Sequence, residues 1–182
     1  MKLTSGRALL VTVSGLAVAG AALFWSAIRG PVEEAGPHAG PAPVQAPDTG
    51  FRTVEGTTRS LADYRERVVI LNIWGTWCPP CIREIPHLVE VQRVIEPRGG
   101  TVIGLAVDSG SSQEVLSFWA DRLELDPAYP LWLGTNRQAR SLFEAFGLPN
   151  TLIIDGDGMI RERFLGLVTR ETLLERVEPY LE

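Results

Sequence analysis

The residues from Val68 to Trp74 are apolar except for Asn72, and a pair of cysteines follows within a few positions. A continuous apolar stretch of this length is typical of a β-strand buried on both faces, because a half-exposed strand would alternate with polar residues. A helix is predicted to begin near Cys78. A strand with two buried faces needs helices on either side of its sheet, so this stretch places the chain in the α/β class.

The rest of the chain alternates strands and helices. A second buried strand is predicted over 101–107, followed by a helix that opens with a capping box of Ser111 and Glu114. Asp155-Gly156-Asp157-Gly158 predicts a tight turn that joins strands 151–154 and 159–165 into an antiparallel hairpin. The other predicted elements are a hairpin over 51–60, a short strand near 131–133, a helix that carries Ala139, Leu142, Phe143 and Phe146 and ends at Gly147, and a last helix capped by Thr169. This alternation predicts a mostly parallel central sheet, covered on both faces, with an antiparallel edge.

The N-terminal part has a different character. Lys2 and Arg7 precede an uncharged, largely apolar stretch from Ala8 to Ile28. This pattern predicts a signal anchor or transmembrane segment over residues 1–28, with the remaining chain on the extracytoplasmic, periplasmic side. Cleavage of the segment, which would give a soluble periplasmic protein, and a buried core helix are the alternatives. Residues 29–48, rich in Pro, Gly and Ala, predict an extended tether, which leaves 49–182 as one folded domain.

Charge and cysteine content exclude several functions. A net charge of -5 over 182 residues, without a basic cluster, argues against nucleic-acid binding. Two cysteines, Cys78 and Cys81, cannot form a multi-disulfide framework. Three interpretations of the pair remain: a redox centre, a structural disulfide, and half of a metal site that would need His38 or His87.

The position of Cys78 favours redox chemistry. A cysteine at the start of a helix lies near the positive end of the helix dipole and near unpaired backbone N–H groups, which stabilise a thiolate. Cys78 is therefore the predicted nucleophile. Pro79 and Pro80 fit the first helical turn because the donors they lack would be unpaired there. Cys81 lies one turn further on and is placed to resolve a mixed disulfide on Cys78.

The segment from Leu71 to Pro86, Leu-Asn-Ile-Trp-Gly-Thr-Trp-Cys-Pro-Pro-Cys-Ile-Arg-Glu-Ile-Pro, resembles the active-site segment of TlpA/ResA-type thiol-disulfide oxidoreductases. The similarity extends from about Phe51 to the C-terminus and includes Gly147-Leu148-Pro149. It implies a thioredoxin-like fold with a central mixed sheet flanked by helices, an N-terminal hairpin and a central insertion. No metal or cofactor is expected besides the Cys78–Cys81 redox disulfide.

The resemblance also implies roles for other residues. Glu84 is expected to influence the proton chemistry of the pair and to accept the proton of Cys81, although a solvated helix carboxylate is the alternative. Asn72 stands where thioredoxin has a buried aspartate, and it cannot titrate. Pro149 is expected to follow a cis peptide bond and to leave the backbone of Leu148 free to pair with a substrate strand. The other residues expected to line the substrate site are Trp77, Pro79 and Pro80.

Reductases and oxidases share this type of site. No cation lies between Cys78 and Cys81 to stabilise the thiolate strongly, which favours a reductase. The resemblance implies substrates among exported proteins, including apocytochrome c, and a membrane thiol carrier as electron donor. The alternative is a non-catalytic adaptor or copper-holding module that uses the fold as a platform.

Overall fold

The computed structural model describes residues 43–181, which form a mixed eight-stranded sheet with helices on both faces. The strands are β1 (Val44–Gln45), β2 (Phe51–Thr53), β3 (Thr58–Arg59), β4 (Val68–Trp74), β5 (Gly100–Val107), β6 (Leu131–Gly134), β7 (Asn150–Ile154) and β8 (Met159–Leu165). Their order across the sheet is β1-β8-β7-β4-β5-β6-β2-β3. The strand that leads to the cysteines, β4, therefore lies in the middle.

The α-helices of this region are α1 (Pro79–Ile95), α2 (Ser112–Ser117), α3 (Asn136–Phe143) and α4 (Arg170–Val177). A π-helical turn, Phe118–Arg122, continues α2, and short 3-10 turns occur at Leu61–Tyr64, Glu96–Arg98 and Glu178–Tyr180. Side chains of α1, α2 and α4 share one core on one face of the sheet, and α3 packs into a second core on the other face.

The central strand β4 confirms the prediction of two buried faces, with the predicted bounds. All seven of its residues are buried. Ile70 and Trp74 pack into the core with α1, whereas Leu71 and Ile73 pack into the core with α3. Because β4 is also hydrogen-bonded to β5 on one side and to β7 on the other, the residues that follow it start from a fixed position.

The sheet is mixed, as the family resemblance implies, but the prediction of a mostly parallel sheet is wrong. β4 pairs with β5 and β5 with β6 in parallel, and the other five pairings are antiparallel. The reason is the connection through α3, which brings the chain back to the end of the sheet where β6 stopped. A connection that returns to the same end reverses the next strand, and helical periodicity does not carry that information.

The N-terminal hairpin and the central insertion are both present. β2 and β3 form the hairpin, and α2 with β6 forms the insertion. The hairpin extends the sheet because β2 pairs with β6. Phe51 of the hairpin stacks on Trp132 of β6 at 5.7 Å between ring centroids and on Phe143 of α3 at 6.1 Å. The two additions and α3 thus share one aromatic cluster.

Three local predictions are confirmed. The capping box is formed, since the Ser111 N–H donates to the Glu114 carboxylate at 2.7 Å and the Glu114 N–H donates to Ser111 Oγ at 3.3 Å. Thr169 caps α4, and Asp155-Gly156-Asp157-Gly158 turns between β7 and β8 with Gly158 at φ 77°. These features depend on neighbours in sequence, which explains why the sequence alone predicts them.

The end of the predicted tether is wrong. Val44 and Gln45 form β1 and pair with Ile160 and Met159 of β8, and Ala46 is only 3% exposed. The folded domain therefore includes the last residues of the predicted tether. Pairing with the open edge of β8 satisfies backbone groups that a free tether would leave to water.

The predicted end of the third helix is also wrong. α3 ends at Phe143, and Glu144 takes the left-handed conformation with φ 54°, in place of Gly147. The N–H groups of Glu144 and Ala145 close the helix on carbonyls of its last turns. Phe146 is therefore released from the helix and is 72% exposed, so it is not part of the core.

The predicted signal anchor over 1–28 and most of the predicted tether lie outside the described residues. Within 43–181, no helix combines the length and the apolar character needed to cross a membrane.

Candidate active site

Cys78 and Cys81 form a disulfide where β4 passes into α1. Cys78 is the N-cap of α1, and Pro79 and Pro80 are the first two residues of the helix. The Cα atoms of the two cysteines are 5.3 Å apart, and Cys78 and Cys81 are 4% and 1% exposed. Cys78 lines an open groove and Cys81 does not. A sulfur that enters the groove thus reaches Cys78 first.

Residues directly after β5 hold the loop in front of the disulfide. Ser109 Oγ accepts a hydrogen bond from the Thr76 N–H at 3.0 Å, and the Asp108 carbonyl accepts one from Trp77 Nε1 at 3.2 Å. The indole of Trp77 folds back over Gly75, where a Cβ atom would lie 2.8 Å from Trp77 Cε2. A larger residue than glycine would therefore displace the ring that forms one wall of the groove.

Glu84, one helical turn beyond Cys81, is completely buried, and it pairs with no cationic side chain of residues 43–181. Three neutral donors face its carboxylate: Asn72 Nδ2 at 3.0 Å, the Val168 N–H at 3.2 Å and Thr151 Oγ1 at 3.4 Å. Asn72 Nδ2 also donates to Thr151 Oγ1 at 2.9 Å, and the two residues are partners in the pairing of β4 with β7. The alternative prediction for Glu84, a solvated carboxylate on the helix surface, is therefore wrong.

Burial raises the pKa of Glu84 to about 7, although the three hydrogen bonds lower it. Desolvation is the larger effect because neutral donors replace only part of the water that would surround a charged carboxylate. A carboxyl group with this pKa exchanges its proton near neutral pH, which an ordinary glutamate does not. Glu84 is thus a candidate proton acceptor for the thiol of Cys81.

The raised pKa predicts that ionisation of Glu84 lowers the stability of the oxidised protein. The folded state holds this proton more tightly than the unfolded chain, whose carboxyl titrates near 4.5. The contribution of Glu84 to the free energy of unfolding is therefore greatest below pH 4.5 and decreases by about 3 kcal/mol as the pH rises through 7. Urea unfolding at several pH values measures it, with Glu84→Gln as reference. The stability of Glu84→Gln relative to the wild type should rise over this interval, and a difference that does not change with pH would contradict the assignment.

The groove in front of Cys78 has a volume of about 540 Å³. Its predicted members Trp77, Pro79, Pro80 and Leu148 line it together.

Pro149 follows a cis peptide bond, is buried, and accepts a hydrogen bond from the Gly166 N–H through its carbonyl. Within residues 43–181, the backbone N–H and carbonyl of Leu148 have no backbone partner. An extended peptide can therefore pair with them, and their role in substrate binding stays a prediction.

Sequence reasoning missed several residues of the site. Asp108 and Ser109 follow the end of a parallel strand, where ligands collect in α/β sheets, so their position gave a usable signal. Arg140 and Phe146 line the groove, but the helical pattern around them indicates only which residues face the core. Thr151 gave no signal, because its contact with Glu84 depends on the register of β7 against β4.

Within residues 43–181, no three His, Cys, Asp or Glu side chains are grouped as metal ligands. His87, a candidate for a metal half-site, lies half-buried on α1, and the two cysteines are bonded to each other. His38 lies outside the described residues.

A cysteine that caps a helix at the end of the central strand of a mixed sheet, disulfide-bonded to a second cysteine one turn later, defines a thioredoxin-like thiol-disulfide oxidoreductase. The chain belongs to the AhpC/TSA family, whose model matches residues 43–163. Within that family it is of the ResA type. It is 32% identical over 133 residues to the thiol-disulfide oxidoreductase ResA of Geobacillus thermodenitrificans strain NG80-2, a match that covers 73% of this chain and 74% of that protein.

Solved structures agree with this assignment. A secreted thiol-disulfide isomerase from Corynebacterium glutamicum superimposes with a TM-score of 0.66 and is 27% identical, covering 80% of this chain and 94% of that chain. A thiol:disulfide interchange protein of the thioredoxin family from Chlorobium tepidum TLS has a TM-score of 0.64 and 28% identity, covering 78% and 99%. The predicted thioredoxin-like fold and oxidoreductase class are confirmed.

Proposed function

We propose that the protein reduces disulfides of exported proteins outside the cytoplasm, with apocytochrome c as a candidate substrate and a membrane thiol carrier as electron donor. The observation that carries this proposal is the unequal placement of the two sulfurs. Both cysteines are largely buried, at 4% and 1% exposed, but Cys78 lines the open groove and Cys81 is absent from its lining. A partner disulfide therefore meets the nucleophile, while the resolving thiol is kept from it.

The reaction runs in two exchanges. The thiolate of Cys78 attacks one sulfur of the partner disulfide, whose S–S bond breaks, and the other partner sulfur leaves as a thiolate that takes a proton from solvent. Cys81 then attacks the Cys78 sulfur of the mixed disulfide and gives its proton to the ionised Glu84. The second partner sulfur leaves and is protonated in turn. The partner gains two electrons and two protons, and the Cys78–Cys81 disulfide is formed.

The surroundings of the sulfurs support the reducing direction. Only prolines separate Cys78 from Cys81, so no cation between them stabilises a thiolate. An ionised Glu84 places a buried negative charge one turn from Cys81 and disfavours a second charge there. Arg140 lines the groove but is exposed, so water and salt screen its field. A dithiol that is not strongly stabilised as thiolate gives up its electrons readily.

The extracytoplasmic location has two supports. The sequence from Lys2 to Ile28 has the charge and hydropathy of an export signal or anchor. A structural relative that is 27% identical is named a secreted isomerase. Disulfides that need a reductase occur in exported proteins, where the surroundings are oxidising.

The reduction potential tests the direction. The protein is equilibrated with mixtures of reduced and oxidised glutathione, and the fraction of the Cys78–Cys81 disulfide is followed by tryptophan fluorescence. We expect a value below about -180 mV, the potential of disulfide isomerases. A value at or above that potential would contradict a reductase and favour an isomerase or oxidase.

A further inference from the structure

The groove beside Cys78 continues along α3 into a second cavity of about 510 Å³. The two cavities share Asn136 and Arg140, and Arg137 and Ser141 complete the second one. The surface on which a partner lies next to Cys78 is therefore lined by cationic side chains on one side. This is unexpected for a chain with a net charge of -5.

Arg137 and Arg140 are exposed and form no salt bridge with any residue in 43–181. The nearby Glu144 carboxylate lies 3.8 Å from Arg163, and the nearby Asp108 carboxylate accepts hydrogen bonds from the neutral Asn136 without forming a salt bridge to either arginine. Among residues 43–181, the arginines that do pair with carboxylates are Arg98, Arg161, Arg163, Arg170 and Arg176. The positive charge at the groove is therefore available to a partner.

An apolar contact surface lies beside this charge. The guanidinium carbon of Arg140 lies 5.9 Å from the ring centroid of Phe146, which positions the cation above an exposed ring. Trp77, 53% exposed, stands on the same groove, with its indole fixed by the Asp108 carbonyl. Aromatic and arginine side chains are enriched where proteins bind their partners, and here a ring can receive an apolar side chain while the guanidinium receives an acidic one.

We propose that the partner segment whose disulfide Cys78 attacks carries an acidic side chain and an apolar side chain close to its cysteine. The acidic group pairs with Arg140 and Arg137, and the apolar group packs against Phe146 and Trp77. A groove of about 540 Å³ is roughly 8 Å across, and extended chain advances about 3.3 Å per residue, so both side chains lie within about three residues of the cysteine. This inference rests on the proposed exchange at Cys78. It specifies in addition which charge a preferred substrate carries near its cysteine.

Two disulfide-closed synthetic peptides test the proposal. They are identical except that one carries Glu-Leu and the other Lys-Leu beside the cysteine that is attacked. The reduced protein should reduce the Glu peptide about tenfold faster at low ionic strength, and the ratio should approach one in about 1 M salt, which screens the arginines. In Arg137→Glu/Arg140→Glu the ratio should invert. Equal rates for the two peptides in the wild type, or a ratio unchanged in the double variant, would overturn the proposal.

Arg93→Glu provides the matched control. It makes the same Arg-to-Glu replacement, at one position instead of two, on an exposed residue in the last turn of α1, about 20 Å along the helix from Cys78. The ratio of the two rates should stay at its wild-type value in this variant. A small neutral substrate, hydroxyethyl disulfide, separates the two ways of failing. If the wild type does not reduce it, the proposed exchange itself is wrong, whereas reduction of it with equal rates on the peptides leaves the exchange intact and removes the charge preference.

The apolar contact is tested by a double-mutant cycle. Replacing Leu by Gly in the Glu peptide should slow the wild type severalfold and should slow Phe146→Ala clearly less, because only the ring of Trp77 then remains to contact the leucine. An equal effect of the peptide change on both proteins would place the leucine elsewhere and contradict the assignment of Phe146.

Discussion

Replacement of Cys78 by Ser should abolish disulfide reduction, whereas replacement of Cys81 by Ser should stop the reaction after its first step. Cys78 lines the groove and caps α1, so without its thiolate no covalent intermediate can form. Without Cys81 the mixed disulfide has no internal attacking group and accumulates. Insulin reduction measures the first effect, and non-reducing electrophoresis of Cys81→Ser with a partner protein measures the second. The variants are isosteric with the wild type, so a loss of folding is not expected.

The pair of variants also distinguishes exchange from the adaptor and copper-holding alternatives. An adaptor that uses the fold only as a platform binds its partner without either thiol. It would give no covalent adduct with Cys81→Ser and unchanged binding in Cys78→Ser. Adducts through Cys78 that dithiothreitol releases would support exchange and would identify the physiological partners.

Replacement of Glu84 by Gln should slow resolution of the mixed disulfide by roughly a hundredfold or more, because general-base catalysis typically contributes a factor of this size. The base acts when ionised, so the resolution rate of the wild type should rise with pH and level off above its pKa of about 7. In Glu84→Gln that inflection should be absent. Stopped-flow measurement of the release of a thiol from a preformed mixed disulfide on Cys78 gives both quantities.

Two further variants check this interpretation. Glu90→Gln changes an exposed carboxylate on the same helix and should leave the profile unchanged. Thr151→Val removes a hydrogen bond that lowers the pKa of Glu84, so the inflection should move to higher pH. If the inflection near pH 7 persists in Glu84→Gln, another group accepts the proton.

Much of the fold follows from local pattern. The buried strand β4, the capping box at Ser111 and the turn before β8 were predictable, because each depends on the residues of one short segment. The reversal of β7, the pairing of β1 with β8 and the exposure of Phe146 were not. They depend on which end of the sheet a connection reaches and which edge is open, and those are properties of the assembled sheet.

The same division holds at the site. The spacing of Cys78 and Cys81, the prolines between them and the preceding strand are local features, so the sequence predicts a redox pair at the start of a helix. The surroundings of the two sulfurs depend on the tertiary structure. It buries Glu84 against Asn72 and Thr151 across two strands, and it brings Arg140 and Phe146 beside Cys78. Contacts between residues distant in sequence set both the desolvation and the field around the sulfurs, and these effects depend on distances that no linear pattern contains.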